Sequence, residues 1–339
     1  STTPENKKYI LEEFTGINCP NCPGGHTTAA NILAAHPGDA FVVAYHPTNS
    51  SYTTPSSGQP DFRRSFADAF YSLSYLGGSS RFMPSAMNNR RTVGGTKIQS
   101  TNAWASNGNT ILSESSPVNV GLEAIYDSNK DSIEIRVEVY FTSSVTNAHT
   151  INVVMSENNI IGYQSGSGGS ATYNHEHVFR EAFTSQWGDA ISNTSQGDLT
   201  KFKFYFPAAS TAGYDLSNLD VLAFVYDSDG QEVMTGNGTH VIDGVITSVA
   251  DDLQAELDLT VAPNPFSGST QIFFNLDNAA PVAVSMLDLM GKKVYSAPAM
   301  TGKAGQNVIN VDAAGLSSGV YLLQMDVNGQ KTSRKVILD

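Results

Sequence analysis

Apolar positions along the chain follow two different rhythms. Up to about residue 113, short apolar runs alternate with stretches of helical spacing. Lys8–Thr15 (KYILEEFT) reads as a strand, and Ala40–Tyr45 (AFVVAY) is a short apolar run suited to a buried parallel strand. Between them, His26–His36 is Ala-rich, lacks breakers and stops at Pro37-Gly38, which predicts a helix. Asp61–Leu76 sets Phe62, Phe66, Ala69, Phe70 and Leu73 on one stripe and ends at Gly77-Gly78, which predicts a second. A strand through Arg81–Arg90 and a helix over Lys97–Leu112 complete the segment. Strands alternating with helices predict α/β layers.

From Pro117 to about Val245 the period becomes two. Val118, Val120, Leu122, Ala124 and Tyr126 alternate with polar or small residues, as do Ile133, Ile135, Val137, Val139 and Phe141. The Asp127–Asp131 turn between them predicts a hairpin. Phe202, Phe204 and Phe206 continue the alternation, Leu219–Tyr226 adds an apolar strand, and Gln164–Tyr173 is a Gly/Ser loop. This pattern predicts an immunoglobulin-like β-sandwich. An acidic stretch then reads as a linker. Beyond it, Gln271–Leu276, Val282–Leu289, Lys293–Ser296, Val308–Val311, Val320–Val327 and Lys331–Leu338 are short strands. Met290-Gly291, Ser317-Ser318-Gly319 and Asn328-Gly329 supply turns between them, and a small separate sandwich is expected. The expected fold class is multi-domain, α/β followed by all-β. Its divisions fall at 1–114, 115–246, a linker at 247–256, and 257–339.

Composition narrows the function. The 339 residues hold 19 Lys and Arg against 32 Asp and Glu, a formal charge of -13. Such a chain is repelled by nucleic-acid phosphates and by anionic membrane surfaces, so neither is an expected partner. No apolar run approaches the roughly 18 residues of a membrane span. Ser1 stands where an initiator Met or an apolar leader would be, which predicts a mature form whose signal peptide has been removed. Low charge with much Ser, Thr, Asn and Gly fits β-rich secreted proteins.

The chain has two cysteines, Cys19 and Cys22, so no disulfide framework holds it together. They form one C-x-x-C after a strand and at the opening of a helix. A helix N-terminus stabilises a thiolate there, and Cys19, capping the helix, is expected to be the more exposed and more acidic thiol. An inert disulfide and a metal half-site are the other readings of the spacing. No second C-x-x-C completes a zinc site. Glu13 lies six residues before Cys19 on the preceding strand. Glu12 adjoins it, and strand alternation expects one of the two to face outward. Pro84, within Arg81-Phe82-Met83-Pro84-Ser85, would demote a strand to an edge unless the Met83-Pro84 bond is cis.

This segment resembles the thioredoxin superfamily. The resemblance implies that Cys19 is the attacking thiol and Cys22 the resolving one. It implies that Glu13 is a buried carboxyl relaying a proton to Cys22. Pro84 would occupy the cis-proline loop facing the pair, and Met83, Pro20 and Asn21 would contact a protein thiol substrate. Ile17-Asn18 stand before Cys19 where ordinary thioredoxins carry a Trp.

Two further resemblances are closer. Leu11–Gly16 leading into Cys19–His26, together with Tyr173–Arg180, looks like the outer-membrane-protein-28-related family, in which a thioredoxin-like domain precedes a β-domain. Ala262-Pro263-Asn264-Pro265-Phe266, Leu289–Val294, Gly319-Val320-Tyr321-Leu322-Leu323 and Lys335-Val336-Ile337-Leu338 resemble the type A sorting domain of the type IX secretion system. That resemblance implies export across the outer membrane to the cell surface or medium. It implies recognition by the translocon's shuttle barrel and sortase, with Pro263, Asn264, Pro265, Gly319, Tyr321 and Lys335 as signal residues.

Other candidates are weaker. His175 and His177 on one strand would point the same way and could share a metal, but no third ligand is evident, so a hydrogen-bonded pair is expected and no metal. Asp227-Ser228-Asp229-Gly230 lacks the rest of a calcium loop and reads as a turn. No G-x-S-x-G, P-loop or G-x-G-x-x-G occurs, and no cofactor is expected. Two functions are consistent with these residues. One is a thiol-disulfide oxidoreductase or redox-linked binding protein at the surface. The other is a non-enzymatic surface adhesion or ligand-binding protein with a structural disulfide, relevant mainly as translocon cargo.

Overall fold

The computed structural model describes residues 1–128, 131–167, 171–207, 213–243, 257–276, 278–288, 292–327 and 330–339. The expected linker at 247–256 and the turns Met290-Gly291 and Asn328-Gly329 lie outside the described residues, as does part of the Asp127–Asp131 turn and of the Gln164–Tyr173 loop. The protein is mostly β and forms two compact units, Ser1–Val245 and Ile246–Asp339.

The first unit begins with β1 (Tyr9–Phe14), α1 (Cys22–Ala35) and β2 (Ala40–Tyr45). The short helices α2 (Phe66–Phe70) and α3 (Leu73–Leu76) come next, then β3 (Ser85–Asn88), β4 (Ile98–Gln99) and α4 (Thr101–Leu112). The helix expected over Asp61–Leu76 is therefore broken. Ser72 takes an extended conformation between the two pieces, and its hydroxyl accepts from Tyr75 N, which starts α3 afresh. The strand expected over Arg81–Arg90 is confined to Ser85–Asn88, and the helix expected from Lys97 starts at Thr101.

Strands follow without interruption by longer helices: β5 (Val118–Asp127), β6 (Ser132–Phe141), β7 (His149–Glu157), β8 (Ile160–Gly162) and β9 (Tyr173–His175). Then come β10 (Val178–Ala182), β11 (Asp189–Ile191), β12 (Leu199–Pro207), β13 (Leu219–Asp227), β14 (Val233–His240) and β15 (Ile242–Asp243). One sheet runs β14-β13-β7-β10-β2-β1-β3-β4, with β11 also on β7. In it β1 and β2 are parallel, and β10 joins β2 through Val178 opposite Ala44. A second sheet runs β12-β6-β5-β15, and β8 pairs with β9.

The apolar residues sort by face. Ile151, Val153 and Met155 of β7, with Val221, Ala223 and Val225 of β13, pack against Ile133, Ile135, Val137 and Val139 of β6. The opposite faces of β7 and β13 turn Val154, Leu222 and Phe224 toward Ile10, Phe14, Val43, Tyr45 and Phe70. Tyr9 and Leu11 of β1 point the other way, into a layer with Ala29 and Ile32 of α1 and Trp104 and Ile111 of α4. All six residues of β1 are consequently buried. Neither Glu12 nor Glu13 faces outward, because α1 and α4 cover one face of the strand and an aromatic layer covers the other. Alternation fixes which side a residue takes, not whether that side is wet.

Glu12 is compensated on its side by Arg90. Arg90 Nε lies 2.7 Å from Glu12 Oε2 and Nη2 lies 2.8 Å from Oε1, and both side chains are fully buried. Nη2 also reaches Asn152 Oδ1 at 3.2 Å. The guanidinium sits 4.6, 4.7 and 5.0 Å from the ring centres of Phe70, Tyr226 and Phe224. One cation thus ties β1 to α2, β7 and β13.

The second unit contains β16 (Thr260–Ala262), β17 (Ser269–Leu276), β18 (Ala280–Leu287), β19 (Lys293–Ser296), β20 (Met300–Gly302), β21 (Gly305–Asp312), β22 (Gly319–Val327) and β23 (Gln330–Leu338). Its sheets are β16-β17-β21 and β19-β18-β22-β23, with β20 on β18. Ile272, Phe274, Val284, Met286, Val311, Leu323, Met325 and Val336 form the core between them.

Candidate functional site

The chain leaves β1 at Phe14, crosses Thr15–Asn21 and enters α1 at Cys22, with Pro23 in the first turn. Cys19 and Cys22 are joined in a disulfide with Cα atoms 5.4 Å apart. No side chain caps this helix start, so the helix-end charge is not offset by a capping group. The C-x-x-C opens the helix as expected, but Asn21 rather than Cys19 is the N-cap and Cys22 is the first helical residue.

Its exposure differs from expectation. Cys19 is 1% exposed and Cys22 0%, so neither sulfur is open and the expected difference between them is absent. The cover comes from far along the chain. Gln164, itself fully buried, donates from Nε2 to Gly16 O at 3.2 Å and to Cys19 O at 3.1 Å. Ser165 N donates to Ile17 O at 2.7 Å, and Ser167 Oγ donates to Gln164 O at 2.8 Å. Gly166 has φ +84° and lies so close to the Pro20 carbonyl that any Cβ there would overlap it. The described part of this loop is a strap laid over the cysteine segment. Pro20 and Asn21 remain exposed beside it.

The floor is built from the Met83-Pro84 loop. The Met83-Pro84 bond is cis. Met83 is buried in the same apolar cluster as both cysteines, and Ser50 Oγ lies 3.9 Å from its sulfur. Pro84 packs against the first turns of α1 at Gly25. A Cβ added to Gly25 would lie 2.8 Å from both Pro84 Cβ and Glu13 Oε1. Cys19, Cys22, Glu13, Met83 and Pro84 thus share one neighbourhood.

Glu13 is the unusual member. It is 2% exposed, and its Oε1 has no hydrogen-bond partner. Desolvation pushes its carboxyl up to about 8. His26, half-buried on α1, has Nε2 3.8 Å from Glu13 Oε1 and 2.8 Å from Thr15 Oγ1, with Nδ1 2.7 Å from the Tyr173 hydroxyl. Burial, then the neighbouring His175 and His177, brings His26 down to about 4. The pair is within ion-pair distance, yet at neutral pH both groups are uncharged. The contact is a neutral acid beside a neutral imidazole.

His175 and His177 do not share a face. β9 ends at His175, and His177 turns through φ +57° before β10 begins. His175 packs its ring on Phe62 and Tyr173, 4.8 and 5.0 Å between centres, with Nε2 3.2 Å from Tyr163 O. Burial brings it down to about 4 as well. His177 lines a separate cavity with Leu33, Phe41, Asp220 and His240. Among the described residues no cluster of three His, Cys, Asp or Glu side chains could hold a metal ion. Asp227–Gly230 is the turn between β13 and β14, with Asp229 N donating to Asp227 Oδ1 at 2.9 Å. His26 and Tyr173 belonged to segments singled out by sequence without a role. Gln164 carried no local signal.

In the second unit the Pro263-Asn264-Pro265 segment docks on the last strand. Asn264 Oδ1 accepts from Ile337 N at 2.9 Å and its Nδ2 donates to Lys335 O at 3.3 Å. Thr270 Oγ1 donates to Pro263 O at 2.7 Å, and Phe266 N to Ile337 O at 3.0 Å. Gly319 opens β22 opposite Leu338, and Tyr321 stands opposite Val336 while its hydroxyl donates to Ser317 O at 2.6 Å. Asn264 thus sits on the backbone of Lys335 and Ile337, whereas the Tyr321 ring is buried in the core of the unit.

Residues 74–241 match the family described as Outer membrane protein Omp28, and residues 260–339 match the Secretion system C-terminal sorting domain. The first match includes Met83-Pro84 and His175 but not the cysteines. Among solved structures, HBP35 of Porphyromonas gingivalis is similar over 99% of each chain, with a TM-score of 0.55 and 16% identity, which makes it a likeness of fold. A domain of the outer membrane lipoprotein Omp28 from Porphyromonas gingivalis matches 38% of this chain and 90% of its own, at 17% identity and a TM-score of 0.27. Protein AGR_C_4864 from Agrobacterium tumefaciens covers 70% of this chain and 95% of its own, at 14% identity and a TM-score of 0.44. No curated protein matches the chain.

Proposed function

We propose, for a chain that carries an Omp28 family domain and a type IX C-terminal sorting domain, that Cys19 and Cys22 perform thiol-disulfide exchange on a protein thiol. The sorting domain makes the protein a type IX secretion substrate, recognised by that machinery and exported to the outer membrane or cell surface. In this reading residues 1–114 are a thioredoxin-like domain and 115–246 an immunoglobulin-like sandwich. Residues 257–339 engage a shuttle barrel and a sortase, with Pro263, Asn264, Pro265, Gly319, Tyr321 and Lys335 as the signal residues.

The observation that carries the redox reading is Glu13. A buried carboxyl without a partner on Oε1 destabilises the fold, and a purely structural disulfide has no use for one. Protonated at neutral pH, it can serve as an acid. A partner thiolate attacks Cys19 Sγ, the S–S bond breaks, and its electron pair goes to Cys22 Sγ, which takes the proton of Glu13. The partner's second thiolate then attacks the mixed disulfide and releases Cys19. The partner leaves oxidised and the pair is left reduced. Met83 and Pro84 on one side, with Pro20 and Asn21 on the other, frame the approach.

Burial of both sulfurs favours a second reading, in which the disulfide is structural and the protein is a surface adhesion or ligand-binding protein. The strap separates the two. Gln164→Ala removes two buried hydrogen bonds that hold it, to Gly16 O and Cys19 O. Losing them weakens strap closure by about 1–3 kcal/mol, which corresponds to roughly 5- to 150-fold in opening. The full chain is expected to oxidise a reduced dithiol peptide under native conditions, and Gln164→Ala to do so roughly fivefold faster or more. If both remain inert until the chain is unfolded, the structural reading replaces this one.

A further inference from the structure

The carboxyl of Glu13 raises a problem of supply. It is closed off by α1 at Gly25 and by Pro84, and its Oε1 meets no hydrogen-bond donor. Each reduction of the pair takes its proton, and each reoxidation returns one. A buried acid needs a path by which that proton reaches water. The ionisable groups around it are His26 on α1, Tyr173 and His175 on β9, and His177 beyond the strand, while Glu12 and Arg90 occupy the opposite face of β1. Of these, His26 stands nearest, and it is already held at both nitrogens.

We propose that His26 and Tyr173 form the proton outlet of Glu13, an addition that rests on the redox reading above. In this assignment the His26 proton sits on Nε2 and Nδ1, 2.7 Å from the Tyr173 hydroxyl, accepts from it. That Nε2 is 2.8 Å from Thr15 Oγ1 and 3.8 Å from Glu13 Oε1. A small tilt of the ring exchanges the first contact for the second. When Cys22 has taken the carboxyl proton, Nε2–H passes its proton to Glu13 while Nδ1 takes the phenolic proton. Tyr173, half-buried, is reprotonated from water. Reoxidation by a second disulfide, which Cys19 attacks and which leaves as two thiols, runs the same path backward: Glu13 sends a proton out, then accepts the one from Cys22, and the starting tautomer returns. One proton enters per reduction and one leaves per oxidation.

A neutral imidazole is what such a shuttle needs, and burial keeps His26 neutral at working pH. Tyr173 also reaches this helix from a segment 147 residues away in sequence. It brings a residue of the Omp28-matched region into contact with the cysteine helix, which lies outside that match.

The test measures catalytic dithiol-peptide oxidation by the full chain with oxidised glutathione as terminal oxidant, in water and in deuterium oxide, for wild type, Glu13→Gln, His26→Gln and Tyr173→Phe. Tyr173→Phe keeps the ring packed on His26 and His175 and deletes the hydroxyl alone. Both outlet variants should slow turnover by roughly tenfold or more and enlarge the solvent isotope effect. Their melting temperature and reduction potential should stay at wild-type values, which a merely structural role would not give together with the slower rate. Free imidazole should restore rate to His26→Gln. If Glu13→Gln slows exchange while His26→Gln and Tyr173→Phe match wild type, the outlet is refuted and the redox reading stands. If wild type itself does not exchange, the redox reading falls and takes the outlet with it.

Discussion

Arg90→Met should cost the first unit roughly 3–5 kcal/mol of stability, because it leaves the Glu12 carboxylate buried without its cation. Arg90 donates to both oxygens of Glu12 and to Asn152, and its plane is packed among Phe70, Phe224 and Tyr226. Removing one member of a buried pair is far worse than removing both. The double variant Glu12→Leu/Arg90→Met should therefore recover most of the loss. Urea unfolding of the full chain measures it through the midpoint of the first unit's transition. A single variant less than about 1 kcal/mol below wild type would mean that Arg90 is not the tie between β1 and the β7–β13 face.

Glu13→Gln should change stability and activity in opposite directions. The carboxyl holds its proton up to about pH 8 in the folded chain, against 4.5 for an ordinary glutamate. Between those values the folded state binds the extra proton, so wild-type stability falls as pH rises from 4.5 to 8. The shift corresponds to roughly 5 kcal/mol if the whole of it is realised. Glutamine does not titrate, so the variant should lose that slope and exceed wild type in stability above pH 8. It should also slow thiol exchange, having no proton to give to Cys22. Urea midpoints at pH 5, 7 and 9 test the first half. Parallel slopes for the two proteins would show that the carboxyl is not held neutral by burial.

Local features of the sequence were a good guide to this site, and distant ones were not. The strand ending before Cys19, the helix opening at Cys22 and the position of Glu13 six residues earlier are all local. So is the turn at Asp227–Gly230. The sorting segments were legible because turn prolines and strand boundaries recur near the chain's end, and the structure brings Asn264 onto Lys335 and Ile337. The exposure expected for Cys19 failed because its cover, Gln164, lies 145 residues away. A Gly/Ser loop gives no hint of what it lies on.

The same limit applies to the sheet. The change of period near Pro117 marks a change from mixed elements to strands, whereas β2 and β10 meet across it through Val178 and Ala44, with His177 O accepting from Ala44 N at 2.8 Å. Arg90 looked like the end of a strand and is instead a fully buried cation. Its partner Glu12 is 78 residues away, so neither burial nor pairing could be read from spacing. The single stripe over Asp61–Leu76 placed Phe62 and Phe70 inward correctly, but Leu73 is 45% exposed and Ala67, outside the stripe, is buried. It missed the break because Ser72 offers its own cap within the stripe.

The reduction potential of the Cys19–Cys22 pair tests the central claim most directly. The full chain is equilibrated at pH 7 with dithiol redox buffers of graded potential, and the reduced fraction is read by alkylation and mass spectrometry. An uncapped helix start beneath Cys19 and a protonated Glu13 beside α1 both favour the reduced pair at neutral pH. The account predicts a potential above about −270 mV, within the range of disulfides that exchange with protein thiols. A potential below about −300 mV, where structural disulfides resist reduction, would contradict it.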